Sequence, residues 1–120
     1  MWFFLLFVLP CLASPVTNAR GRAYLDSRQY RMAAQVFRES LLESPGKPSL
    51  ELGLGRSLAG MGRCEEALPF LERNRVSLAY GWRAAMALAS CHEMNGAPQQ
   101  ALYFLDEASR MRPEGSGIEL

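Results

Sequence analysis

Three copies of one residue pattern, each 34 positions long and joined without a gap, constrain this chain more than any other feature. Ala33, Ala67 and Ala101 are spaced by that interval, as are Phe37, Leu71 and Leu105. Gly21, Gly55 and Ala89 form a small-residue column; Tyr24, Leu58 and His92 form a larger one. Ser40, Asn74 and Ala108 are a further small column, Arg28 shares a turn column with Gly62 and Gly96, and Pro45 and Pro113 flank Ala79. A unit of this length cannot bury its apolar face alone, so consecutive units must stack. Residues three and four apart share a helix face. Ala33, Phe37 and Ser40 therefore line one helix, and Gly21 and Tyr24 line the helix before it. The small residues let two antiparallel helices approach, and the large ones fill the space beside them.

The pattern predicts helices over 15–27, 30–43, 48–61, 64–77, 82–95 and 98–111. Ser14-Pro15 suits an N-cap followed by a first helical residue. Gly62 and Gly96 suit helix C-termini, where a left-handed residue ends the helix. Pro98 fits a first turn, whereas Pro69 falls inside the fourth helix and predicts a kink or a slipped first turn there. Asn74 departs from its small-residue column, and Arg20 stands where the later copies carry Leu54 and Leu88.

The segments Gly21-Arg-Ala-Tyr24, Gln29-Tyr30, Ala33, Phe37, Ser40-Leu41 and Pro45 resemble the tetratricopeptide repeat family. So do Leu54-Gly55, Leu58, Gly62 to Leu68 and Leu71, and then Leu88-Ala89, Gly96-Ala97-Pro98, Ala101-Leu102, Leu105, Ala108 and Pro113. The resemblance spans residues 14–115, with units at 14–47, 48–81 and 82–115 and a short tail at 116–120. It implies an all-α fold, an α-solenoid of three helix-turn-helix repeats in a right-handed superhelical stack.

The N-terminal segment differs in kind. All 13 basic and 12 acidic side chains lie from Arg20 onward, and residues 2–9 are wholly apolar. Such a run is too short to span a bilayer as a helix. It fits the apolar region of an export signal over 1–19, cleaved after Ala13 or after Ala19, although no Lys or Arg precedes it. That predicts a periplasmic or secreted protein, with a bacterial envelope favoured. Membrane attachment would require the segment to stay uncleaved or Cys11 to be lipidated, and Pro10 is a poor residue before a lipidated cysteine. Removing the segment removes Cys11 and leaves Cys64 and Cys91 as an even pair. In an oxidising compartment that parity invites a disulfide; the alternative is two buried thiols acting as small apolar fillers.

No catalytic constellation is present. His92 is the single histidine, and Cys91-His92 offers at most two of the three or four ligands a metal needs. Adjacent helix residues do not face each other, so the pair is no nucleophile and base. Gly53 and Gly55 lie inside a helix pattern and form no phosphate loop. Glu65-Glu66 reads as a solvated helix start. A net charge of +1 argues against nucleic-acid binding by bulk electrostatics. The reading is a non-enzyme without cofactor or metal.

The resemblance implies a concave face built from the first helix of each unit, on which family members commonly hold extended peptides or partner helices. The positions expected there are Asn18, Arg22, Leu25, Leu52, Arg56, Arg83, Met86, Ser90, Glu93 and Met94, with Asp26 and Ala59 beside them. Arginine supplies forked donors for carboxylates, and methionine adapts to varied apolar side chains. An acidic or C-terminal peptide segment is the expected partner. Some family members grip a terminal carboxylate with a Lys/Asn/Arg set; here Asn18 and Arg22 replace the first two, and Arg83 alone falls at a later basic position. A second expected surface is the uncapped end of the stack, bearing Leu102, Tyr103, Phe104 and Leu105, through which the chain would dimerise or dock on a larger assembly.

Overall fold

A computed structural model describes residues 18–112. Over these it is helical throughout: α1 over 18–26, α2 Tyr30–Glu43, α3 Pro48–Gly60, α4 Cys64–Asn74, α5 Gly81–Met94 and α6 Pro98–Met111. The proposed signal segment up to residue 17, the Ser14-Pro15 cap, Cys11, Pro113 and the tail lie outside the described residues.

The three turns inside the units are built alike because the same backbone groups sit in register. The N–H groups of Gln29, Arg63 and Ala97 donate to the carbonyls of Tyr24, Leu58 and His92 at 2.8, 2.9 and 2.8 Å. One residue earlier, Arg28, Gly62 and Gly96 donate to Leu25, Ala59 and Glu93 at 3.0, 3.0 and 3.1 Å. These bonds satisfy carbonyls that a helix end leaves unpaired, and they require a left-handed residue between. Arg28, Gly62 and Gly96 supply it, with φ of 60°, 79° and 73°. Arg28 is the single described non-glycine residue with positive φ.

Stacking follows from the small columns. Phe37 is fully buried between α1 and α3; a Cβ at Gly21 would come within 2.7 Å of its ring, and one at Gly53 closer still. Gly55 gives Leu71 the same room that Gly21 gives Phe37, its Cβ position lying 2.9 Å from the Leu71 side chain. α3 packs on both α2 and α4, and α5 on α3, α4 and α6, so the described helices form one all-α solenoid around a continuous core. Cys64 at the start of α4 and Cys91 in α5 are joined by a disulfide, with Cα atoms 5.5 Å apart. Buried polar groups are served locally: Ser40 and Ser57 donate to the carbonyls of Val36 and Gly53, and Asn74 Nδ2 to that of Phe70.

Two local expectations change. α4 starts at Cys64 as predicted and stays helical through Pro69, so no slipped first turn forms; the helix bond lost is that of the Glu65 carbonyl, and both residues are exposed to water. It stops at Asn74, three residues short of the predicted end. There the Ser77 N–H bonds the Asn74 carbonyl, the Gly81 N–H bonds the Ser77 carbonyl at 2.8 Å, and a new turn leads into α5. Gly81 is needed at that junction: a Cβ would stand 2.6 Å from the Arg75 carbonyl oxygen.

Candidate functional site

The first helices of the units line a concave face, and each contributes an arginine to it. Arg22 on α1, Arg56 on α3 and Arg83 on α5 border one open concavity of about 290 Å³ together with Asn18, Asp26, Ser49 and Tyr80, over a floor of Leu25, Phe37, Leu52 and Gly53. Arg56 and Arg83 also border an adjoining concavity of about 380 Å³, with Leu25, Tyr30, Ala59, Trp82, Met86 and Ser90. Burial together with the charges of Arg83 and Arg22 pushes the Arg56 guanidinium below its ordinary value, against an opposing pull from Asp26. The Arg56 cation is thus held partly out of water and beside like charges, with Asp26 and Tyr30 acting the other way.

Elsewhere on the solenoid the pattern is mixed: Arg31 and Arg38 on α2 also have no carboxylate within ion-pair distance among the described residues, whereas four other arginines are paired. Arg63 pairs with Glu66, Arg73 with Glu51, Arg110 with Asp106, and Arg75 with both Glu72 and Glu107. Among the described residues no carboxylate lies within ion-pair distance of Arg22, Arg56 or Arg83. Arg83 instead lies over the Trp82 ring, 4.5 Å from its centroid, as does Arg112 at 4.6 Å. Cations without carboxylate partners beside an apolar floor, two of them half-buried (Arg56 and Arg83) and one exposed (Arg22), can receive acidic groups through charge-assisted hydrogen bonds.

Of the residues expected on this face, Asn18, Arg22, Leu25, Leu52, Arg56 and Arg83 come together in the first concavity, and Met86 and Ser90 in the second. Glu93 and Met94 border neither; they lie exposed on the last turn of α5. Leu25 and Leu52 form floor, being nearly fully buried. Tyr30, Tyr80 and Trp82 were not anticipated. Their signal is positional, since they begin or just precede helices whose following turns carry groove residues.

At the far end of the stack, Leu102, Tyr103 and Leu105 are exposed by 65%, 53% and 40%. Phe104 is not part of that surface. Four consecutive helical residues cannot share one face, and Phe104 turns inward with Ala101 and Ala108. Its ring stacks on His92 at 5.2 Å and lies 5.1 Å from the Arg75 guanidinium. His92 thereby has a packing role. Arg75 is anchored in turn: its Nε donates to Glu107 at 2.7 Å, and that bond holds the Glu107 carboxyl below its usual range and raises Arg75 further.

Among the described residues no three His, Cys, Asp or Glu side chains gather as metal ligands, and no helix is long and apolar enough to cross a membrane. No curated protein and no solved structure matches the chain. The tetratricopeptide repeat model matches residues 18–75 and again 52–116, which together contain the whole of the described solenoid. With six helices in register, shared left-handed turns and in-phase small columns, the chain belongs to the tetratricopeptide repeat family, a family of protein-interaction scaffolds.

Proposed function

We propose that this chain is an exported, non-enzymatic adaptor that holds an acidic peptide, or an acidic C-terminal segment of a protein, along its concave face. One observation carries the reading: Arg22, Arg56 and Arg83 border a single concavity with a leucine floor, and no carboxylate among the described residues lies within ion-pair distance of any of the three. A group in that state gains when an acidic ligand arrives, because the ligand supplies the missing countercharge in a partly water-excluded groove. The apolar floor of Leu25 and Leu52 gives a neighbouring side chain of the ligand somewhere to bury. The groove is preformed by helix packing, so little ordering entropy opposes binding.

Export is supported by the apolar run over 2–9 within an uncharged first nineteen residues and by cysteine parity, since Cys64 and Cys91 pair and Cys11 would leave with the signal. Cleavage after Ala13 would retain Asn18 in the groove; cleavage after Ala19 would remove it. The reading therefore favours Ala13, and the periplasm or the cell exterior as the site of action.

Selection from a displayed library of random peptides tests the function. The expected result is enrichment of Asp and Glu beside one apolar residue, lost with the double variant Arg22→Ala/Arg56→Ala. Enrichment without acidic residues, or binding indifferent to the two arginines, would refute it. A second reading rests on Leu102 and Leu105: the exposed stack end docks this chain into a larger assembly. It predicts that Leu102→Glu abolishes assembly while the arginine variant does not.

A further inference from the structure

We propose that the surface seated on the exposed α6 end is a second copy of this chain, docked head to tail through its own α1. The inference rests on the second reading above, that the stack end is an interface, and names its occupant. The two internal junctions supply the template. At the first, fully buried Phe37 of α2 is covered by Gly53 of α3. At the second, the equivalent Leu71 is fully buried, and the residue equivalent to Gly53 is Ala87, packed against the core. Leu105 is next in this column, and it is 40% exposed because no described helix follows α6. Leu102 follows the same trend: in its column Ala34 is 1% exposed, Leu68 is partly buried and Leu102 is 65% exposed.

The residue that would cover Leu105 by the same register is the one 34 before Gly53, which is Ala19 on α1. Ala19 is small, as Gly53 and Ala87 are, and it is exposed. The second junction also brings Cys64 against Cys91; their counterparts at the end would be Pro98 and, on the incoming α1, Ala23. Ala19 and Ala23 lie four apart on one helix face and are both exposed, a small-residue face matched in register to the exposed leucines of α6. The junction would thus continue the established repeat interface. Arg20 differs, standing where the internal junctions bury Leu54 and Leu88. A cation there weakens the contact relative to the internal ones, so association is reversible. The contact joins unlike surfaces, so it extends as an open series and does not close at a dimer.

Sedimentation equilibrium of the exported chain, its N-terminus first read by sequencing, tests this. The expected mass rises with concentration past that of a dimer, and Arg20→Leu shifts the rise to lower concentration. Leu105→Glu and Ala19→Glu each weaken association by roughly 10- to 100-fold, with circular dichroism confirming that both fold. Mixed together, those two variants form dimers and nothing larger, because each retains one good end. A wild-type chain that stays monomeric at high concentration would overturn the proposal. So would an Ala19→Glu variant that still dimerises, which marks an α6-to-α6 contact, or an N-terminus at Arg20, which removes Ala19. A monomeric wild type that nevertheless needs Leu102 to enter an envelope complex would refute the second copy and leave the stack-end reading standing.

Discussion

Removing the bridge between Cys64 and Cys91 should cost this small array a large part of its stability. The disulfide joins the second helix of the middle unit to the first helix of the last, its ends separated by 27 positions in sequence. In the chain-entropy description, closing a loop of that length in the unfolded state contributes about 3.5 kcal/mol. A domain of this size has roughly 5–10 kcal/mol in total. Both cysteines are nearly fully buried, so Cys64→Ala/Cys91→Ala keeps apolar atoms in the core and removes little packing beyond the sulfurs. The double variant should melt roughly 15–25 °C below the oxidised wild type, and reduced wild type should melt close to the variant. Hydrogen exchange adds a spatial check. α5 and α6, which the bridge ties to α4, should lose protection before α2 and α3 do. The reasoning is refuted if a verified oxidised wild type and the double variant melt within a few degrees of each other, or if α2 opens first.

Other perturbations address separate parts of the account. Arg28→Gly should stabilise the fold by about 1 kcal/mol, since glycine adopts the left-handed conformation without a Cβ clash; chemical denaturation would reveal a loss instead if the turn depends on the arginine side chain. Gly53→Ala should destabilise by about 1–3 kcal/mol despite the better helix propensity of alanine, because its Cβ enters the space of the buried Phe37 ring. Thermal melts check that sign. The Arg75–Glu107 pair makes stability depend on acid. Glu107 is held below its ordinary value, so its contribution is complete above the usual carboxylate range and is lost as pH falls through the lowered value. Glu107→Gln should flatten that part of the stability–pH curve and cost about 1–2 kcal/mol at neutral pH.

Much of this was legible in the sequence, because the repeat period ties distant residues to one local geometry. The columns of Ala33, Phe37 and Gly21 located the helix pairs and their contacts, and the turn column containing Gly62 located the left-handed residues. That column also held Arg28, whose strained backbone appears only in the structure. Periodicity did not foresee the early end of α4. That end depends on how closely Gly81 approaches the Arg75 carbonyl, a tertiary fact with no counterpart in the other units. The groove arginines were readable because one helical face recurs in each unit. That they lack carboxylate partners was not, because pairing depends on which acidic residues reach across from neighbouring helices, as Glu107 does for Arg75. Phe104 was grouped with its exposed neighbours by composition, whereas the turn per residue places it inside.

The central claim is that the concave arginines, Arg56 above all, are there for an acidic ligand. The most direct measurement is calorimetric titration of one acidic peptide, with a free and with an amidated C-terminus, into wild type and Arg56→Met. Methionine keeps the stem buried and removes the uncompensated cation. Arg56→Met should melt no lower than wild type and bind about 10- to 100-fold more weakly, the equivalent of one or two charge-assisted hydrogen bonds. The amidated peptide shows whether the terminal carboxylate or an acidic side chain is the group held. Equal affinity of wild type and Arg56→Met for every acidic peptide that binds would contradict it.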